Sequence, residues 1–233
     1  MSEALGRVQK PAVDSFRGRR KLFLVFLVYP YEGAPAGYVE RCERYWRQVA
    51  EQVLSLESKV GPVRHVYHES VYAAGDEGLE LLKQLNRFSY EISRARHESG
   101  AVFEAFEERE LALELSDLGR FMMLGFASSR VSQLVQDLHM QAEKKRNEHV
   151  IKVIDSTLQR DEVGLLFVSE RHSLQFPGDI EVFSVVPPAL DELHRWMRDE
   201  ADRRRQEAAG ATGKEPAQET QPDAAGEGDK EVA

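Results

Sequence analysis

The chain has 233 residues, 42% of them hydrophobic and 30% charged, which suits one sizeable core and excludes a collagen, a coiled-coil rod and a wholly disordered chain. A net charge of −9 argues against nucleic acid or an anionic membrane as the main partner. The single cysteine, Cys42, excludes an intrachain disulfide framework and a cysteine-rich metal site.

The first part of the chain predicts a β-α-β unit. Residues 1–20 lack hydrophobic periodicity and are expected to be a mobile lead-in. Lys21–Tyr29 is an apolar stretch too short for the roughly 20 residues of a membrane span and typical of a strand buried on both faces of a parallel sheet. Tyr38–Leu56 has apolar residues at helical spacing, and Val63–Val71 is short and β-rich. Because no small-residue cleavage pattern follows the first strand, we expect no signal peptide and a cytoplasmic location.

Helices and strands continue to alternate in the rest of the chain. The pattern predicts helices over Asp76–His97, Ala101–Leu118 and Ser129–Leu158, strands over Gly164–Glu170 and Ile180–Val186, and a last helix from Pro187-Pro188 to about Arg203. We therefore expect an α/β fold with one domain over residues 21–206, a small, mostly parallel sheet of about four strands, and a helical insert.

The last 27 residues, Glu207 to Ala233, have a different composition from the rest. They contain no aromatic residue and no Leu, Ile or Met, and they carry seven acidic and two basic side chains. Such a segment cannot bury enough apolar surface to offset its ordering entropy, so we expect a disordered acidic tail over residues 207–233. This tail, or the predicted helix over residues 129–158, could bind a protein partner.

Charged side chains follow two of the predicted strands. Glu69 lies at the end of Val63–Val71, and Glu170 and His172 follow the strand that begins at Gly164. In open parallel sheets, ligands gather beyond the carboxyl ends of the strands. His172 could therefore act as a general base or bind a divalent metal with Glu170 beside it, whereas the alternative is an ordinary polar loop.

Arg146 falls within the apolar stripe of the predicted helix over residues 129–158. A guanidinium on a core-facing stripe either reaches outward to solvent or needs a carboxylate partner. If Arg146 is buried, we expect Glu69 or Glu170 to pair with it.

These features together resemble the superfamily that includes the TraB, Tiki and ChaN proteins and the erythromycin esterases. The resemblance rests on the N-terminal apolar strand, on His68-Glu69-Ser70 after the second strand, on Arg146 in a late helix and on His172 after a late strand. It implies an α/β fold with a cluster of His, Glu and Arg at the strand ends, and either metal-dependent hydrolysis or ligand binding. The family's histidine after the first strand is missing, since Leu27–Glu32 contains none, and a site with fewer ligands is expected to hold a metal less well.

Two functional hypotheses remain open. The first is a non-catalytic interaction or scaffold protein. The second is a metal-assisted hydrolase or a ligand-binding protein that uses Glu69, Arg146 and His172, with Glu170 as a further candidate site residue and a divalent metal left open as a cofactor. They differ in whether Glu69, Arg146 and His172 converge in one pocket.

Overall fold

The computed structural model describes residues 18–212, and side chains as far as Glu207. The predicted lead-in over residues 1–20 lies outside the described residues up to residue 17, and the predicted tail over residues 207–233 lies outside them from residue 213. Of the described parts, Arg20 already belongs to a strand and residues 207–212 continue the last helix. Within the described residues, one compact unit reaches Leu193, and a second begins at His194. No described helix combines the length and the apolar character needed to cross a membrane.

Strands and helices alternate along the described chain. In order they are β1 Arg20–Phe26, α1 Ala36–Val60, β2 Val63–His68, α2 Gly75–Leu85, α3 Arg87–Glu98, β3 Val102–Phe103, α4 Arg109–Leu124, α5 Ser129–Thr157, β4 Val163–Val168, β5 Ile180–Val185 and α6 Pro188–Thr212. From His194 onward, α6 carries its own ion pairs, in which Arg203 and Arg204 both contact Glu200.

The sheet has the strand order β3-β2-β4-β1-β5, and every neighbouring pair is parallel. This confirms the predicted α/β fold with a parallel sheet. The strand count is five rather than about four because β3 has only two residues, too few to show a period-2 pattern.

The central strands β1 and β4 form the core because almost all of their side chains are buried. On one face of the sheet, Leu22 and Leu24 pack with Val150 and Ile154 of α5. On the other face, the ring centroids of Trp46 in α1 and Phe167 in β4 lie 6.2 Å apart.

Two predicted helices have different boundaries in the structure. Asp76–His97 is divided into α2 and α3 at Asn86, whose side-chain oxygen accepts hydrogen bonds from the backbone of Phe88 (3.1 Å) and Ser89 (3.4 Å). Such N-capping begins a new helix where the spacing alone reads as continuous. The predicted helix from Ala101 is wrong over its first part, where β3 and a loop precede α4.

Candidate functional site

A cavity of about 760 Å³ lies beyond the carboxyl ends of β2 and β4. Glu69 and Ser70 follow β2, and Ser169 follows β4. Helices α4 and α5 supply most of the remaining wall. Polar side chains on that wall are Arg109, Ser116, His139, Glu143 and Arg146. The cavity therefore occupies the place where ligands bind in open parallel sheets.

Arg146 and Glu107 form a buried ion pair at this cavity. The Nε atom of Arg146 donates to both carboxylate oxygens of Glu107 at 3.0 and 2.9 Å, and its Nη2 atom also donates to Oε1. The Glu107 side chain is 2% exposed. Burial lowers the pKa of Arg146, but the hydrogen bonds to Glu107 outweigh it and the net shift is upward. The predicted pairing of Arg146 with Glu69 or Glu170 is wrong, because Glu107 takes up the guanidinium.

Glu107 is held in place by the loop that follows β2. The backbone N–H groups of Phe106 and Glu107 both donate to the carbonyl of Val71, at 3.2 and 3.0 Å. The backbone N–H of Ser70, which has a positive φ of 72°, points at Glu107 Oε1 from 3.4 Å. Sequence reasoning missed Glu107 because it lies in an acidic run. Its signal was the neighbouring Phe106, which is fully buried and marks the segment as core-facing.

Glu69 connects the ends of the two strands beside the cavity. Its backbone N–H donates to the carbonyl of Phe167 at 2.9 Å, and its Oε2 atom accepts from the backbone N–H of Ser169 at 2.5 Å. Burial, with a further contribution from the Glu69 carboxylate, raises the pKa of Tyr29 to about 12. Glu69 thus lines the cavity with one carboxylate oxygen engaged by the backbone.

His172 is not in the wall of this cavity. Its ring lies between Phe26 and Phe176, each with a centroid separation of 6.3 Å, and its Nδ1 atom accepts a hydrogen bond from the backbone N–H of Leu174 at 3.3 Å. Burial lowers the pKa of His172, and the charges of Glu69 and Arg146 act on it in opposite directions.

Glu170 also lies away from the cavity. Its side chain is exposed, and its charge contributes, after burial, to raising the pKa of Tyr45 in α1. Of the four predicted site residues, Glu69 and Arg146 therefore line the cavity, and Glu170 and His172 do not. His172 nevertheless lies close enough to Glu69 and Arg146 for both charges to shift its pKa.

The two histidines of β2, His65 and His68, stabilise the fold. The ring nitrogens of His65 contact carboxylate oxygens of Glu104 at 2.8 Å and Glu162 at 3.2 Å, and hydrogen bonding to Glu104 is the main reason that the pKa of His65 is raised. His68 is fully buried between Ser89 and the backbone carbonyl of Glu69, and burial lowers its pKa to about 4.

The side chains at the cavity do not fit a divalent metal. Over residues 18–212, no group of three or more His, Cys, Asp or Glu side chains is placed to hold an ion. The carboxylate of Glu107 is already occupied by the guanidinium of Arg146, whose positive charge opposes a cation beside it.

Comparisons of the chain with protein-family models, with curated proteins and with solved structures find no match. The function is consequently inferred from the cavity and its charged groups.

Proposed function

We propose that this protein binds, without transforming it, a small polar ligand that carries a carboxylate or phosphate together with a hydrogen-bond donor. The observation that carries the proposal is the state of Arg146. Its Nε and Nη2 atoms are held by Glu107, while its Nη1 atom bonds no described residue and the side chain lines the cavity. A guanidinium fixed in this way is a preorganised receptor for an anion.

A second cationic group lines the same cavity from α4. The guanidinium of Arg109 lies 5.7 Å from the centroid of the Tyr72 ring, which holds it over an aromatic face. Arg109 is exposed and forms no ion pair with another described side chain. Two guanidinium groups on different elements suit a ligand with one compact anionic group.

The carboxylates of the cavity indicate that the ligand also carries a hydrogen-bond donor. Glu69 has one oxygen on the Ser169 backbone, and Glu143 accepts a hydrogen bond from Ser173 Oγ at 2.9 Å. Their remaining acceptor capacity favours a ligand that also donates hydrogen bonds, such as an amino or hydroxyl group next to the anion.

The arrangement favours binding over catalysis. A general base must lie within hydrogen-bond reach of the proton that it removes. His172 is outside the cavity wall, and His68 is buried with both nitrogens engaged. His139 of α5 does line the cavity, but no hydrogen bond or ion pair with another described residue orients its ring as a base. The resemblance to a superfamily with ligand-binding members and polar residues at the strand ends is in keeping with this proposal.

A thermal-shift titration with inorganic phosphate, succinate and L-aspartate tests the proposal. A ligand at a hundredfold excess over its Kd stabilises by about 2.7 kcal/mol, so we expect at least one probe to raise the Tm by about 5 °C in a saturable way. Because aspartate carries both an anion and an ammonium group, we expect it to give the largest shift.

Three variants assign the effect to the cavity. Arg109→Ala and the paired change Glu107→Leu with Arg146→Leu are expected to remove the shift. Arg94→Ala is the matched control, because Arg94 is exposed and pairs with Glu98 outside the cavity. No shift with any probe, or the same shift in wild type and Arg109→Ala, would contradict the proposal.

A further inference from the structure

Helices α4 and α5 form an antiparallel hairpin that exposes much of its apolar surface. The ion contacts of Glu107 with Arg146 and of Glu108 with His149 show that the start of α4 lies beside the second half of α5. Along its 16 residues, α4 buries only Leu118. The second half of α5 packs on the sheet through Val150 and Ile154, whereas the rest of the hairpin keeps an open apolar side that another layer would bury.

The cavity and the exposed apolar residues lie on different sides of the hairpin. On α5, the cavity residues His139, Glu143 and Arg146 repeat at helical spacing and form one stripe. Val131, Leu134 and Leu138 form a second stripe with the 3- and 4-residue spacing of a coiled-coil seam, and all three are exposed. The apolar stripe is therefore exposed to solvent on a side of α5 that does not line the cavity.

The corresponding stripe of α4 is acidic and ends in an aromatic residue. Glu110, Glu114, Asp117 and Phe121 follow one another at spacings of four, three and four residues, and all are exposed. We call this stripe, together with Val131, Leu134 and Leu138 of α5, the outward face of the hairpin. Apolar side chains at the tip extend it, since Met123 and Leu124 are 81% and 80% exposed.

The outward face and the tip expose enough apolar surface for a stable interface. Six large apolar side chains are each at least 40% exposed, namely Phe121, Met123, Leu124, Val131, Leu134 and Leu138. At on the order of 100 Å² each, they approach the roughly 800 Å² per partner that a standard interface buries. Monomeric proteins rarely leave an apolar patch of this size uncovered.

The outward face carries opposite charges on its two helices, so the α4 side of one copy is complementary to the α5 side of another. Its α4 side carries Glu110 and Glu114, whereas the α5 side carries Lys145, which lies seven residues after Leu138 on the same stripe. None of these three side chains forms an ion pair with another described residue. A second copy that places its α5 over α4 of the first brings opposite charges together twice, once at each symmetry-related contact.

We propose that a second copy of this chain docks on the outward face, so that two α4–α5 hairpins pack as a four-helix bundle. Leu134 and Leu138 of both copies form its centre, and Glu110 of one copy faces Lys145 of the other. Four-helix bundles bury apolar stripes of this spacing in the same way. The proposal concerns self-association and does not depend on the ligand proposed for the cavity.

Sedimentation equilibrium of the full chain tests the proposal. We expect a mass twice the 26.5 kDa of the chain. The change Leu134→Asp with Leu138→Asp is expected to weaken the dimer at least a hundredfold while leaving the far-UV circular dichroism unchanged. Leu54→Asp is the matched control, because Leu54 is 60% exposed on α1, and it should leave the mass unchanged.

A charge exchange tests which helices face each other. Glu110→Lys and Lys145→Glu are each expected to weaken the dimer several-fold, and the two changes together should restore it. A monomer at all concentrations up to about 100 μM would overturn the proposal, since such an affinity is too weak for an interface of this size. A dimer unaffected by the Leu134 and Leu138 changes, or no recovery in the combined charge variant, would also overturn it.

Discussion

Two largely buried arginines, one at the amino ends and one beyond the carboxyl ends of the strands, differ in how many of their guanidinium nitrogens bond to the protein. Arg20, at the start of β1, donates from Nε to Asp179 at 2.8 Å, from Nη2 to Asp155 at 2.8 Å and from Nη1 to two backbone carbonyls. Arg146 lies beyond the carboxyl ends of the strands and donates to Glu107 from Nε and Nη2, whereas its Nη1 atom donates to no described residue. The comparison separates a charge that serves the fold alone from one that remains available to a ligand.

The partners of the two arginines also differ in their exposure. Asp155 and Asp179 each remain 58% exposed, whereas Glu107 is 2% exposed. Water can take over an exposed carboxylate that loses its partner, but it cannot reach a buried one without opening the structure. The two ion pairs should therefore respond differently when one member is removed.

The largest effect is expected for Glu107→Ala. Removal of this carboxylate leaves the Arg146 guanidinium largely buried without its counter-charge, which should cost about 3–5 kcal/mol in the free energy of unfolding. Urea denaturation measures the loss. The paired change Glu107→Leu with Arg146→Leu should recover most of it, and a double variant as unstable as Glu107→Ala would refute the uncompensated charge as the cause.

A smaller loss is expected for Arg20→Met. The apolar stem is retained, and Asp155 and Asp179 can rehydrate, so we expect a cost of about 1.5–3 kcal/mol, the range for hydrogen bonds to charged groups. The neighbouring Arg19→Met is the control, since Arg19 forms an exposed pair with Glu181 that should contribute less than about 1 kcal/mol. Equal urea midpoints for the two variants would contradict the structural role of Arg20.

A third charged contact, that of His65 with Glu104, makes the stability of the fold depend on pH. Its pKa is raised in the folded state by Glu104, so its protonated form contributes stability that is complete below the unfolded pKa of about 6.5 and is lost as pH rises through the folded pKa. We expect the difference in unfolding free energy between wild type and His65→Gln to be largest near pH 5 and to shrink toward about pH 9. A difference that grows with pH would reverse the assigned sign.

The smallest effect on stability is expected for Arg109→Ala. Arg109 is exposed and is not part of a buried ion pair, so its removal should change the unfolding free energy by less than about 0.5 kcal/mol. The same variant is expected to lose the response to anions described above. A loss of several kcal/mol would show that Arg109 belongs to the fold, as Arg20 does.

The α/β fold could be predicted because its strongest signals are local. Lys21–Tyr29 and Gly164–Glu170 are largely apolar stretches, and β1 and β4 each begin one residue before the predicted start and end within the predicted range. The division at Asn86 was not predicted because a single capping side chain, and no change in apolar spacing, ends one helix and begins the next. The strand β3 was missed because its two residues pair only with distant β2.

The candidate site was predictable only in part, since its key contact joins residues far apart in the chain. The positions of Glu69 at a strand end and of Arg146 on an apolar stripe were sufficient to select both residues. The partner of Arg146 could not be predicted in this way. The backbone hydrogen bonds from Phe106 and Glu107 to Val71 determine which glutamate of the acidic segment turns inward. His172 was selected by its place after β4, but the hydrogen bond from Leu174 to its Nδ1 atom cannot be read from residue order.

The strand order has a consequence for how the chain acquires its structure during synthesis. β1 is made first, yet its two neighbours in the sheet are β4 and β5, the last strands along the chain. At ribosomal rates, roughly ten seconds separate the emergence of β1 from that of its partners. Throughout this interval, Arg20–Phe26 is an unpaired apolar segment with strong β-propensity, the kind of sequence that aggregates. We therefore expect the yield of folded protein to depend on chaperones that cover this segment, and polar substitutions within β1 to impair folding before they affect any activity.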